Sequence, residues 1–155
     1  MIRLDHPKHR AGGVCVYVRR SLKSKVLKDL SRISGSGFHL LWVQVQHKKL
    51  KSFLFCVIYI TPDRPLSCFV EDLMDQYLQA LTYGKFVLVV GDLNCDLLTS
   101  SYESRALNDL CSSLTMKQLI TEPTRVTATS KTLIDVNMTS NTALVTDSGL
   151  VETHD

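Results

Sequence analysis

The 155-residue chain lacks the features that mark membrane, secreted and zinc-binding proteins. Its apolar runs stay well below the roughly 20 residues that span a bilayer, and residues 1–10 lack the apolar core of a signal peptide. Five cysteines, an odd number without any Cys-x-x-Cys pair, argue against a zinc knuckle and a disulfide framework. We therefore expect an intracellular protein, nuclear or cytoplasmic, without a membrane partner, whose Cys15 and Cys56 are buried in apolar strands.

Acidic residues are scarce in the first third of the chain. Residues 1–51 contain twelve Lys and Arg but only Asp5 and Asp29 as acids, although the net charge of the whole chain is only +3. Such a bias suits a phosphate-rich partner. A basic face that is merely solvated explains the bias equally well, so charge alone leaves both interpretations open.

The apolar pattern predicts one domain over residues 1–155, in which strands alternate with two helices. A helix is expected after the break at residues 61–65 and ends near Thr82, and a second helix is expected over about Tyr102–Leu114. Strands interspersed with helices indicate a layered α/β or α+β domain. The predicted strands are Val14–Val18, Phe38–Gln46, Phe53–Ile60, Phe86–Val90 and Thr132–Met138, with a short extended piece over Gln118–Ile120.

The segment Phe86–Asn94 is the most informative part of the sequence. Five apolar residues predict a strand that is buried on both faces, and Gly91 permits a sharp turn where the chain leaves the sheet. Asp92 and Asn94 follow two residues apart, so both side chains point to the same side if the segment is extended. A carboxylate beside an amide orients a metal-bound water or a phosphate oxygen well. A plain Asp/Asn turn is the competing interpretation.

Two more polar residues interrupt apolar strands. Tyr59 lies at the end of the third predicted strand, where an ordinary interfacial aromatic is the simpler interpretation. Asp135 lies within Leu133–Val136, where an unpaired buried carboxylate would be costly. Its partner is either a histidine acting as general base or a neighbouring loop that forms a structural hydrogen bond.

The order of these motifs resembles the endonuclease/exonuclease/phosphatase superfamily. More narrowly, it resembles the apurinic/apyrimidinic-type endonuclease domain of non-LTR (LINE-type) retrotransposons. The likeness extends over nearly the whole chain, and its combination of Gly-Asp-x-Asn, Glu-Pro-Thr-Arg and Leu-Ile-Asp is specific. The segments that form it are Arg3–Asp5, Gly12–Arg19, Leu41–Val43, Val57–Tyr59, Gly91–Asn94, Leu119–Arg125 and Thr132–Asp135.

The resemblance implies a DNase I-like α-β-β-α sandwich of four layers that cleaves a DNA phosphodiester bond with Mg²⁺ or Mn²⁺. Asp92 would act on the attacking water and ligate the metal, and Asn94 would orient that water. Tyr59 would donate a hydrogen bond to a phosphate oxygen, and Asp135 would fix a catalytic histidine. The residues assigned to the DNA backbone are Thr127, Thr132 and Arg125. The implied partners are DNA and the reverse transcriptase domain of an intact polyprotein.

Some of the family's residues have no match in this chain. The family's catalytic Asn and metal-ligating Glu precede the segment that aligns with Arg3–Asp5, and its closing Ser-Asp-His follows the segment that aligns with residues 149–155. His154 is therefore not the catalytic histidine by position. We expect an incomplete sandwich, truncated at both ends, that is weakly active or inactive alone. The alternatives are a related phosphoesterase for RNA, inositol phosphate or lipid, and a non-catalytic basic nucleic-acid-binding remnant.

Overall fold

The computed structural model describes residues 1–6, 13–35, 37–48, 51–62, 64 and 67–151. The described residues form short and long strands, two α-helices and a 3₁₀ turn at Thr142–Leu144. The helices are α1 (Ser67–Ala80) and α2 (Tyr102–Ser113). The strands are β1 (Ile2–Asp5), β2 (Gly13–Val16), β3 (Lys23–Val26), β4 (Arg32–Ile33), β5 (Phe38–His47), β6 (Lys51–Ile60), β7 (Phe86–Asp92), β8 (Lys117–Gln118), β9 (Arg125–Val126), β10 (Lys131–Thr132) and β11 (Asp135–Thr139).

One seven-stranded sheet forms the centre of the fold. Its strand order is β3-β5-β6-β7-β11-β8, and β4 pairs with one end of β5. Strands β6 and β7 are parallel, with α1 as the connection between them, whereas the other pairs are antiparallel. Because β6 and β7 lie in the middle of the sheet, they need apolar residues on both faces, as the sequence predicts.

The two faces of this sheet are covered differently. The helices pack on one face, where Trp42 is fully buried and its indole Nε1 donates to Oε1 of Gln76 on α1 at 3.0 Å. The hairpin β1–β2 packs on the opposite face, where Leu41, Val43 and Val45 are buried. The helices, the large sheet and the hairpin are stacked layers, and the hairpin takes the place of the second sheet. The predicted incomplete α/β sandwich is therefore confirmed.

Several local expectations need correction. The predicted strand Thr132–Met138 is two strands in different sheets, because the backbone of residues 133 and 134 bonds to the loop after β7 instead. Strand β2 ends at Val16 rather than at Val18. Cys15 is exposed because it lies on the outer face of the hairpin opposite Arg3, whereas Cys56 is buried as expected.

None of the described helices is both long and apolar enough to cross a membrane.

Gly91 fixes how closely β6 and β7 approach. It pairs with Ile58 across the parallel ladder and has φ +146°, which residues with a side chain rarely adopt. A Cβ atom at this position would overlap the carbonyl oxygen of Ile58, which is backbone and cannot turn away. Gly91 is therefore part of strand β7 and a requirement of the sheet, rather than only a turn residue after it.

We expect Gly91→Ala to lower the free energy of unfolding by more than about 3 kcal/mol, because it combines a backbone clash with an unfavourable φ. Urea titration followed by circular dichroism measures this effect. Gly35→Ala is the matched control, since a Cβ there meets open space. Equal stability of both variants would contradict the close approach of β6 and β7.

The face of the large sheet beside the hairpin is only partly covered. Phe55, Leu88 and Val90 retain partial exposure, and an apolar cavity of about 310 Å³ lies between the segment that follows β2 and strands β5, β6 and β7. Among the described residues, the second edge of β2 has no strand partner. An unpaired edge beside apolar surface promotes association.

The chain should therefore self-associate as its concentration rises, and Leu88→Gln should weaken this association by making the partly covered face polar. Sedimentation velocity over a concentration series measures the effect. Leu98→Gln is the control, because Leu98 is 47% exposed in the loop after β7 and lies outside this surface. A monomer at every concentration would contradict the prediction.

Candidate functional site

Three of the four candidate catalytic residues form a row across the sheet. Tyr59 on β6 pairs with Asp92 on β7, and Asp92 pairs with Asp135 on β11. Residues in register on neighbouring strands point to the same face, about 4.8 Å apart. Alternation along β6 and β7 shows which face this is, because Ile58 and Val89 lie among the helix-side core residues. The row thus lies on the hairpin side, at one end of the sheet.

Asn94 joins the row from the loop that follows β7. Its φ of +48° is left-handed, so the segment is not extended as the sequence analysis supposed. Asparagine tolerates this conformation better than most residues. Its backbone N–H donates to Asp92 Oδ1 at 2.7 Å, and its side-chain Nδ2 donates to the Ile60 carbonyl oxygen at 2.7 Å. Asn94 therefore ties the ends of β6 and β7 together.

The Asp92 carboxylate lies in an environment that disfavours its charge. Partial burial raises the pKa of Asp92, and the negative charge of Asp135 raises it further. The N–H of Asn94 and the positive charge of Arg125 both act in the opposite direction. Two carboxylates side by side with a nearby guanidinium are suited to a cation and a phosphate group together.

Two polar residues that the sequence analysis did not single out hold Asp135 in place. Thr124 Oγ1 accepts hydrogen bonds from the backbone N–H groups of Ile134 and Asp135, both at 3.2 Å. Asp96 Oδ1 accepts from the N–H of Leu133 at 3.0 Å. Thr124 lies inside the Glu-Pro-Thr-Arg motif, so that motif contained the signal, although its role could not be read from spacing.

The residues predicted to contact DNA lie on the β9–β10 hairpin and its turn. Arg125 is exposed opposite Thr132 and close enough to Asp92 to influence its pKa. Thr127 is exposed too, but its hydroxyl group already bonds to Ser130, with 2.8 Å between the two hydroxyl oxygens. The Thr127 side chain therefore closes the turn. A contact of Thr127, Thr132 or Arg125 with DNA stays a prediction.

The catalytic histidine that the family resemblance places beside Asp135 has no match in this sequence. His154 lies outside the described residues. The described histidine that touches the row is His39 on β5, which pairs with Tyr59 and meets its ring edge-on at 5.2 Å between centroids. His39 is a residue that the sequence analysis missed, because β5 also contains the polar residues Gln44 and Gln46 and a further polar residue there was not distinctive.

The described side chains of the site offer a magnesium or manganese ion two carboxylates as ligands. Among the described residues, no three His, Cys, Asp or Glu side chains are grouped to hold a metal. Mg²⁺ commonly uses one or two protein carboxylates and completes its shell with water and substrate phosphates. Asp92 and Asp135 match that need, and a bound cation would offset the repulsion between these two carboxylates.

The raised pKa of Asp92 has a consequence for stability. The folded chain binds this proton more readily than the unfolded chain, so the stability that Asp92 contributes is complete below its ordinary pKa of 3.8. That contribution is lost as the pH rises through the raised pKa. Asp92→Asn should thus be more stable than the parent chain near neutral pH, because Asn cannot ionise and its Oδ1 still accepts from Asn94.

The measurement is urea unfolding of both chains between about pH 3 and pH 7. The stability gained by Asp92→Asn should be small at the acidic end and should grow with pH. Asp109→Asn, which changes an exposed residue of α2, serves as the control. A gain that does not change with pH would contradict the environment described for Asp92.

Comparisons with known proteins bear on the fold of this site. No protein-family model matches the chain, and no curated protein matches it significantly. Among solved structures, the endonuclease domain of TRAS1, a telomere-specific non-LTR retrotransposon, matches with a TM-score of 0.59 and 15% identity. The match covers 77% of this chain and 56% of the TRAS1 domain.

Two other solved structures match with lower scores. An endonuclease/exonuclease/phosphatase family protein from Bacteroides thetaiotaomicron has a TM-score of 0.48 and 16% identity, over 77% of this chain and 48% of that one. The human Nocturnin catalytic domain with bound sulfate has a TM-score of 0.43 and 19% identity, over 66% and 42%. The chain thus spans about half the length of these solved chains. The chain therefore has a fold similar to that of the TRAS1 endonuclease domain, over about half of that domain.

Proposed function

We propose that this chain is part of a magnesium-dependent DNA endonuclease that hydrolyses phosphodiester bonds and nicks target DNA for reverse transcription. The observation that supports this most is the row of Tyr59, Asp92 and Asp135, with Asn94 beside it, on an endonuclease-type fold. The implied partners are the DNA backbone and the reverse transcriptase domain of the parent polyprotein.

Tyr59, Asp92 and Asn94 each have a role that suits their surroundings. The hydroxyl group of Tyr59 donates to a phosphate oxygen. Asp92 accepts a proton from the attacking water, which its raised pKa favours, or it holds the metal. Because Nδ2 of Asn94 is bound to Ile60, its Oδ1 is the atom that accepts a hydrogen bond from the water. Bound Mg²⁺ would neutralise negative charge on the phosphate oxygens.

Binding of DNA rests on charge as well as on the row. Arg125 lies near Asp92, and Arg19, Arg20, Lys23 and Lys25 are exposed toward the opposite end of the sheet, where Lys23 pairs with Gln46. Lysine and arginine bind the phosphate backbone in a manner that weakens with salt. We propose that the positive charge of the first 51 residues adds phosphate contacts beyond the row.

The isolated chain should nevertheless turn over slowly. Two carboxylates hold a metal weakly, and the described residues offer no larger group of ligands. The family resemblance also leaves the general-acid histidine without a match. A missing general acid or base reduces the rate by about 10²–10⁴-fold. We therefore propose that the chain binds DNA measurably and nicks it near the background rate.

The role of Asp92 is tested by measuring DNA affinity with and without Mg²⁺, because the effect of Asp92→Asn on that affinity should differ between the two conditions. In EDTA, Asp92→Asn should bind a duplex oligonucleotide up to about fivefold more tightly, because one charge that repels phosphate is gone. In Mg²⁺ this advantage should vanish or reverse, since the parent chain uses the carboxylate to hold the metal. Fluorescence anisotropy at several salt concentrations gives both affinities.

Asp109→Asn removes the same charge from exposed α2 and is the matched control. An Asp92→Asn effect that is the same with and without Mg²⁺, or that Asp109→Asn reproduces, would exclude a metal-binding role.

Plasmid relaxation provides the second readout, with RNA, an inositol phosphate and a lipid phosphate as competing substrates. Preferred hydrolysis of one of these would favour the related phosphoesterase, and binding indifferent to Mg²⁺ would favour a non-catalytic remnant.

A further inference from the structure

His39 lies in line with the candidate site but belongs to a fourth strand. Strands β5 and β6 pair His39 with Tyr59, so the row continues as His39, Tyr59, Asp92 and Asp135 across four neighbouring strands. All four residues therefore point to the hairpin side of the sheet. His39 is only 2% exposed, so it cannot itself reach a bound DNA strand.

The position of His39 is one where an apolar residue would suit the fold better. The next residues on the same face of β5 are Leu41, Val43 and Val45, all buried among apolar neighbours. His39 Nδ1 is buried and has no hydrogen-bond partner among the described residues. An unsatisfied buried nitrogen destabilises the folded state. Residues that break a local rule in this way are expected mainly at functional sites.

The ring of His39 packs against the ring of Tyr59. The two rings are edge-to-face, with centroids 5.2 Å apart and planes at 82°. The ring of His6 also lies near that of His39, at 5.8 Å between centroids. Burial chiefly, and the charge of His6 secondarily, lower the pKa of His39, so its imidazole is neutral near neutral pH. A neutral ring at this angle fixes the plane of the Tyr59 phenol without adding charge.

We propose that His39 is a positioning residue for Tyr59, holding the phenol ring at the angle from which its hydroxyl group meets a substrate phosphate. The proposal rests on the proposed function, in which Tyr59 donates that hydrogen bond. His39 acts through Tyr59, since it is almost fully buried and adjoins Tyr59, not Asp92, in the pairing of the strands.

Two substitutions separate positioning from a structural role. His39→Leu removes the unpaired nitrogen and the aromatic edge but continues the apolar pattern, so thermal stability should be unchanged or higher. Affinity for a duplex oligonucleotide should nevertheless fall by about two- to tenfold, the range expected for one aromatic pair. His39→Phe restores an aromatic ring and should recover most of this loss.

His47→Leu is the matched control. His47 lies on the same strand and the same face as His39, at the opposite end of β5, and pairs with Lys51 far from the row. This control should leave the packing of the Tyr59 ring unchanged, because His47 lies at the other end of the sheet. If His39 had only a structural role, His39→Leu would lower the stability of the chain and its DNA affinity together. The proposal instead expects lower affinity without a loss of stability.

A double-mutant cycle tests whether His39 acts through Tyr59. In a Tyr59→Phe background the hydroxyl group is absent, so adding His39→Leu should cause no further loss of affinity. An equal loss in both backgrounds would overturn the proposal. If Tyr59→Phe itself leaves the affinity unchanged, the proposed role of Tyr59 fails, and that result is distinguishable from a failure of His39 alone.

The resonances of the Tyr59 ring in the free protein test, without DNA, whether His39 packs against Tyr59. In a chain with ring-labelled tyrosine, the Tyr59 resonances, assigned by their loss in Tyr59→Phe, should shift in His39→Leu and largely return in His39→Phe. Unchanged Tyr59 resonances in His39→Leu would overturn the proposal, because the imidazole would then have no influence on the phenol ring.

Discussion

The parallel pairing of β6 with β7 is the constraint on which the other features depend. At Ile58 and Gly91 the two backbones approach so closely that a side chain on residue 91 has no room. That approach fixes the register, and the register places Tyr59 opposite Asp92 one residue later. Strand β11 then adds Asp135 to the other side of Asp92. A shift of one residue in this ladder would turn the polar side chains toward the helices.

The same constraint explains why polar residues occur where they do. The face that contains the row is apolar along most of its length, with Leu41, Val43 and Val45 beneath the hairpin. At the end of the strands, polar side chains replace the apolar ones and gather within reach of solvent. Asp92 is destabilised as an anion there, and His39 keeps an unpaired nitrogen. Both residues weaken the fold locally, a pattern that is common where a site must act on a substrate.

The sequence alone predicts the parts that long apolar runs determine. Strands β5, β6 and β7 and both helices follow from periodicity, and the Gly-Asp-x-Asn motif locates the end of β7. Short strands escape such reasoning, because β3 is mostly lysine and serine and is defined by its neighbour β5. The break between β10 and β11 depends on a hydrogen bond to Asp96, a contact between residues 37 positions apart. No local pattern encodes a contact of this kind.

Asn94 contributes to the site through both its side chain and its backbone, and this affects how substitutions there should be interpreted. Its side-chain nitrogen joins the loop after β7 to the end of β6, while its left-handed backbone turns the chain beside Asp92. An aspartate in its place would match its size but lose the donor, and an alanine would lose the bond and resist the backbone angle. A loss of the proposed activity and a loss of local order would then occur together. A substitution of Asn94 therefore does not by itself separate a catalytic role from a structural one.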